Sequence, residues 1–201
     1  MTPRVLILRT AGTNCDGELA HAFDRVGGRA DPAHLNALAD DPQTLDDYDI
    51  LALPGGFSYG DDIAAGRIMA NRLRHRLIPA LRRFVAAGKP VIGICNGFQV
   101  LVKAGLLPDF DPQRDALPEQ TVTLADNAVP RFVDRWVDVR VEPNSRCIWT
   151  RGLASSPMAV AHGEGRFEAD EAVLDRLEAE GQVSLRYETK PNGSARDIAG
   201  I

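Results

Sequence analysis

Three short runs of apolar residues, Val5-Leu6-Ile7-Leu8, Ile50-Leu51-Ala52-Leu53 and Val91-Ile92-Gly93-Ile94, constrain this chain more than any other feature. A strand with one face in water alternates polar and apolar residues. A run with no polar break is a strand buried on both faces, the condition of a parallel sheet covered by helices. Helical spacing fills the intervals. Leu19, Phe23 and Val26 share one face ahead of the stop Gly27-Gly28, and Leu77, Leu81, Phe84 and Val85 share another that Gly88 closes. Phe98, Leu101 and Val102 mark a third, ended by Gly105. The alternation predicts an α/β fold, a mostly parallel open sheet with flanking helices.

The second half carries a different pattern. Residues 108–131 are rich in Pro, Asp and Asn and predict loop, with a short strand over Thr121–Leu124. Val137, Val139 and Val141 alternate with charged residues, as in a half-exposed antiparallel strand. Met158–Ala161 and Val183–Tyr187 predict further strands, and Ala172–Ala179 a helix closed by Gly181. This half is a smaller antiparallel excursion from the parallel sheet. No repeat, low-complexity tract or linker divides residues 1–201, so a single domain is expected.

Composition excludes several function classes. The net charge of -5 argues against a general nucleic-acid binder, which needs a basic surface. The Arg72-Leu73-Arg74-His75-Arg76 run is read as the solvated face of a helix. No segment approaches the roughly 18 apolar residues of a membrane span, and Met1-Thr2-Pro3-Arg4 leads into a strand without a secretory signal. Three cysteines without metal-ligand spacing fit a reducing cytoplasm, and no metal site is expected. Asn192-Gly193-Ser194 is read as a turn.

The chemistry concentrates in Gly93-Ile94-Cys95-Asn96-Gly97. Glycines two residues either side of a nucleophile have the spacing of the nucleophile elbow. A strand that turns straight into a helix presses the flanking residues together, and side chains there would clash. Cys95 then stands at a helix N-terminus, where free N–H groups and the helix dipole favour thiolate. The N–H of Asn96 faces the position of a tetrahedral oxyanion. Pro54-Gly55-Gly56 also ends a strand, and its bare backbone can supply a second donor. Taken alone, the elbow also admits a buried structural cysteine. Cys15 and Cys147 have no such setting and are read as structural packing and as inert, respectively.

The stretches LPGGFSYGDDIAAGRI, GKPVIGICNGFQVLVKAGLLP, GTNCDGELAHAF and AHGEGRF resemble the glutaminase subunits of phosphoribosylformylglycinamidine synthase. These are class I (triad-type) glutamine amidotransferases, with a flavodoxin-like fold. LADN, RFVDRWV and NGSARDIAGI occur in the family's order. The resemblance implies that Cys95 attacks the glutamine side-chain amide, forming a glutamyl thioester and releasing ammonia, and that water then frees glutamate. Gly56 and Asn96 would form the oxyanion hole. Gly55, Gln99, His162, Gly163 and Glu164 would line the glutamine site, and Asp61 and Asp62 would face a partner. The partners implied are a large synthetase subunit, which uses ATP and Mg to make formylglycinamidine ribonucleotide, and a small accessory subunit. No cofactor is implied in this chain.

Thioester chemistry also needs an acid for the departing ammonia and a base for water. In the family a His-Pro-Glu motif supplies both, and that tripeptide does not occur among these residues. The expectation is a truncated chain that lacks the catalytic pair and a sheet strand. His162-Gly163-Glu164 repeats the His-x-Glu spacing, but the family carries it in addition to the pair. The rival readings are a non-catalytic docking subunit and a stand-alone cysteine hydrolase.

Overall fold

The computed structural model describes residues 2–108 and 117–201. The chain forms two compact units, Met1–Glu119 and Gln120–Ile201. Part of the loop expected over 108–131, residues 109–116, lies outside the described residues.

In the first unit the three apolar runs become β1 (Arg4–Arg9), β3 (Ile50–Leu53) and β4 (Val91–Gly93). A fourth strand, β2 (Arg29–His34), completes a parallel sheet of order β2-β1-β3-β4. Both faces are covered, as the unbroken apolar runs require. Leu6, Leu8, Leu51 and Leu53 pack with Met69, Leu73, Leu81, Phe84 and Leu101 on one side. Val5, Ile7 and Ala52 meet Leu19, Ala20 and Phe23 on the other. Each fully buried Leu or Ile contributes about 1.5–3 kcal/mol relative to exposure.

The helices of this unit are α1 (Asp16–Arg25), α2 (Leu35–Asp40), α3 (Arg67–Arg76), α4 (Ile78–Ala86) and α5 (Asn96–Lys103). The arginine-rich run is the end of α3, which buries Met69, Ala70 and Leu73 on its opposite face. The sequence reading missed β2 and α2. Arg29-Ala30-Asp31-Pro32-Ala33-His34 has no apolar pattern because it is an edge strand, where a proline is tolerated and polar side chains stay wet. His34, given no role from sequence, accepts a hydrogen bond from the Asn36 N–H at 3.1 Å and caps α2.

The second unit is antiparallel. Strands β6 (Val133–Val141), β7 (Ser155–His162), β9 (Leu185–Tyr187) and β10 (Ile198–Gly200) form a sheet of order β10-β9-β6-β7. A separate pair joins β5 (Val122–Asp126) to β8 (Glu164–Ala169). The helix α6 (Glu171–Ala179) contributes Leu174 and Leu177 to the buried residues. Val137, Val139 and Val160 form the core of the four-stranded sheet, with Val133, Leu185 and Tyr187 against them. The alternation read from the sequence is present: Val137 and Val139 are buried while Asp138 and Arg140 are exposed. No helix among the described residues is long and apolar enough to cross a membrane.

Candidate active site

The parallel sheet decides where a site can form. In an open α/β sheet the loops at the carboxyl ends of the strands build the ligand crevice, at the point where strand order reverses. Here β1 has β2 on one side and β3 on the other, so that point lies between β1 and β3. Three loops leave this edge: Thr10–Cys15 after β1, Pro54–Asp62 after β3, and Ile94–Cys95 after β4.

Cys95 is exposed and sits at the corner, with φ 54° and ψ -112°. A left-handed conformation is costly for a residue with a side chain, and it persists only where its surroundings over-determine it. They do so here. The Ile94 N–H donates to the Leu53 carbonyl at 3.0 Å, and the Gly97 N–H donates to the Ile94 carbonyl at 2.9 Å. A Cβ on Gly93 would meet the Gly97 oxygen at 2.7 Å. The glycines expected from the spacing are therefore required by contact.

The strand-end turn at Gly55-Gly56 lies beside this corner. A Cβ on Gly55 would stand 3.3 Å from the Cys95 Cβ and 3.5 Å from the Cys15 Sγ. Gly56 has φ 129° and forms a β-bridge with Thr13. Thus the β1 loop is strapped across the turn: the Phe57 N–H donates to the Gly12 carbonyl at 3.0 Å and the Tyr59 N–H to the Ala11 carbonyl at 2.7 Å. Cys15 is exposed near Cys95 rather than packed in the core, a correction to its reading as structural packing. It leaves the switch-point strand, so its loop is delivered to the same crevice. Burial of the thiol, with Glu18, Cys95 and Asp16 nearby, pushes the Cys15 pKa up.

Asn96 and Gln99 are both buried. The Asn96 side chain joins the elbow to the β3 loop. Its Oδ1 accepts from the Ser58 N–H at 3.2 Å, while its Nδ2 donates to Gln99 Oε1 at 3.0 Å and to Asp61 Oδ1 at 3.2 Å. Gln99 thus stands behind Asn96 in this arrangement. Asp61 turns its carboxylate inward, and Asp62 is the exposed member of the pair. The role of Asp61 inside the elbow escaped the sequence reading, because no spacing rule links positions 61 and 96.

In the second unit, His162-Gly163-Glu164 is the connection between β7 and β8. The His162 ring packs flat on Gly165, whose Cβ, if present, would lie 2.5 Å from it. Both ring nitrogens are buried and have no hydrogen-bond partner among the described residues, and burial lowers the pKa of the imidazole. Two buried asparagines secure this connection. Asn127 Nδ2 donates to the carbonyls of His162 and Arg131, each at 2.9 Å, and its N–H donates to the Gly163 carbonyl at 2.9 Å. Asn192 Nδ2 donates to the Gly165 carbonyl at 2.7 Å, and Asn192 Oδ1 accepts from the N–H and hydroxyl of Ser194. The Ser194 hydroxyl then accepts from the Phe167 N–H at 3.1 Å. The chain bends at Asn192-Gly193-Ser194, read from sequence as a turn; Gly193 is exposed there, and the buried Asn192 and Ser194 side chains hold the start of β8. The asparagines of LADN and NGS are struts of the AHGEGRF segment.

No group of three or more His, Cys, Asp or Glu side chains that could hold a metal ion occurs among the described residues.

Cys95 at a strand-to-helix corner, beside a Gly-Gly turn at the carboxyl edge of a parallel sheet, has the setting of a nucleophile elbow. A family model for the CobB/CobQ-like glutamine amidotransferase domain matches residues 2–201. Among curated relatives, the phosphoribosylformylglycinamidine synthase subunit PurQ of Dehalococcoides mccartyi is 42% identical over 98% of this chain and 78% of its own length. That of Rubrobacter xylanophilus is 44% identical over 98% and 81%. The structure of PurLQS from Thermotoga maritima matches with a TM-score of 0.76 and 31% identity, covering 98% of this chain and 80% of the other. The chain belongs to the PurQ family of glutamine amidotransferase subunits.

Proposed function

We propose that this chain is the glutaminase subunit of a phosphoribosylformylglycinamidine synthase, and that Cys95 is its nucleophile. The observation that carries the reading is the exposed Cys95 in a left-handed corner at the head of α5, beside the Gly55-Gly56 turn. Cys95 Sγ attacks the side-chain carbonyl carbon of glutamine, and the carbonyl oxygen takes up negative charge. The N–H groups of Gly56 and Asn96 stabilise that oxyanion; removing one such donor costs about 10²–10³ in rate. Collapse expels ammonia and leaves a glutamyl thioester. Attack by water through a second oxyanion frees glutamate and the thiol.

Both half-reactions need a proton to move, toward ammonia and then away from water. His162 is a poor fit to that role, because burial holds its ring neutral and its nitrogens are shut from solvent. Gly55 and Gln99 line the glutamine site. The ammonia passes to a synthetase subunit of the PurL kind, assembled with a small PurS-like subunit. The synthetase subunit uses ATP and Mg, and this chain uses no cofactor. Asp62, exposed on the β3 loop, faces the partner, with Asp61 behind it. The setting is the cytoplasm, where the exposed thiols of Cys15 and Cys95 stay reduced.

The test measures glutamate release from glutamine by this chain assembled with the synthetase subunit and its nucleotide. Cys95→Ser is expected to abolish glutamine-dependent amidine formation and leave ammonia-dependent formation intact. Loss of both together would make Cys95 structural and sink the reading. Release that survives the substitution would place the nucleophile elsewhere.

A further inference from the structure

We propose that Asp61 is a positioning residue for the oxyanion hole, acting through the Asn96 side chain. The inference rests on Cys95 being the nucleophile of a glutaminase. Asn96 begins α5, and on that reading its backbone N–H is one of the two donors to the oxyanion. A donor of that kind must be fixed before charge develops, since reorganisation during the reaction forfeits the benefit. Asp61 Oδ1 accepts from Asn96 Nδ2 at 3.2 Å and from the Gly66 N–H at 3.1 Å. One oxygen therefore ties the first residue of α5 to the residue that caps α3. Asn96 is 3% exposed, so little water competes with this acceptor for its side-chain amide.

The backbone of the loop points the same way. Tyr59, Gly60 and Asp61 have φ of 55°, 72° and 54° in succession. Two non-glycine residues in this region are held by identified contacts. Tyr59 N–H bonds the Ala11 carbonyl, its hydroxyl meets the Arg72 guanidinium, and Asp61 bonds Asn96 and Gly66. The Lys103 ammonium donates to the Ala65 carbonyl at 2.6 Å, a further tie between the same loop and the far end of α5. The strained loop is thus a strap clamped onto α5, and Asp61 is its clasp at the catalytic end. Its carboxylate has the geometry to order Asn96, and through Asn96 Nδ2 the Gln99 side chain, before glutamine arrives.

The test compares wild type, Asp61→Ala and Asp61→Asn, each assembled with the synthetase subunit and its nucleotide, by steady-state glutamate release. The isosteric Asn keeps an acceptor oxygen at the same place. Asp61→Ala is expected to lower kcat at least tenfold with less than a threefold change in KM, and Asp61→Asn to recover most of kcat. In ¹H–¹⁵N spectra of the chain alone, the Asn96 side-chain amide is expected to shift and exchange faster in Asp61→Ala. A kcat for Asp61→Ala within threefold of wild type overturns the proposal. So does equal damage from both substitutions, as a purely structural or charge role would give, or an unmoved Asn96 amide. If wild type releases no glutamate, the glutaminase reading fails instead, and the Asn96 amide signals alone decide whether Asp61 positions that residue.

Discussion

A methyl group on Gly97 would stand 2.1 Å from the carbonyl oxygen of Leu53, which already accepts a hydrogen bond from the Ile94 N–H. The last residue of β3 and the second residue of α5 are therefore in backbone contact. Gly97→Ala is expected to destabilise the chain by about 3 kcal/mol or more, as overpacking against backbone does. Gly17→Ala is the control, since nothing lies within 4 Å of that position on α1; it should be neutral or stabilising by about 0.5–1 kcal/mol. Urea unfolding of the two variants checks the contrast.

The Cys15 thiol should react slowly at neutral pH. Burial and the neighbouring Glu18, Cys95 and Asp16 raise the Cys15 pKa, so less of it is thiolate at a given pH. Alkylation of Cys15 by iodoacetamide is expected to be slow near pH 7.5 and to keep accelerating beyond pH 9. Peptide mapping after timed quenching gives the rate. A Cys15 rate already level by pH 8.5 would contradict the shift.

His162 makes stability depend on pH in a known direction. Its folded pKa lies below the unfolded value of about 6.5, so below that pH the unfolded chain binds the proton more readily. The neutral ring's contribution is complete above about pH 6.5 and is lost as pH falls toward the folded pKa. Unfolding free energies at pH 7.5 and pH 5.5 should therefore differ more for wild type than for His162→Gln. Equal pH dependence in both proteins would remove His162 from the account.

Asn192→Ala strips hydrogen bonds from the Gly165 carbonyl, the Ser194 N–H and the Ser194 hydroxyl at a buried position. Leaving buried polar groups unpaired costs about 1–3 kcal/mol each, so a loss of about 2 kcal/mol or more is expected. Amide exchange at Phe167, whose N–H bonds the Ser194 hydroxyl, should quicken with it. Protection at Phe167 equal to wild type would show that the serine holds without Asn192.

Much of the first unit was legible because burial on both faces leaves unbroken apolar runs, and β1, β3 and β4 fall on them. The elbow was legible because its glycines are demanded by local contact. β2 was not, since an edge strand draws its stability from pairing with β1 and needs no apolar pattern of its own. β8 was missed for a related reason: of its residues only Phe167 is fully buried. The sites of Cys15 and Asp61 depend on neighbours far along the chain, Gly55 for one and Asn96 for the other. Periodicity cannot encode such pairings. LADN and NGS were visible as motifs, but their work as buried brackets emerged only from their hydrogen bonds.

The common direction of β1 to β4 also gives the sheet of the first unit a working rim and a spare one. Gly27, ahead of β2, and Gly88, ahead of β4, lie at the amino ends of the strands in open space; their φ of 88° and 75° reserve the two positions for glycine, so an attachment belongs beside them rather than in their place. A fluorophore, an affinity tag or a new chain terminus introduced at these two turns would sit on the sheet edge opposite the thiol. Handles placed there leave the chemistry undisturbed, and the fold thereby marks out its own points of attachment for engineering.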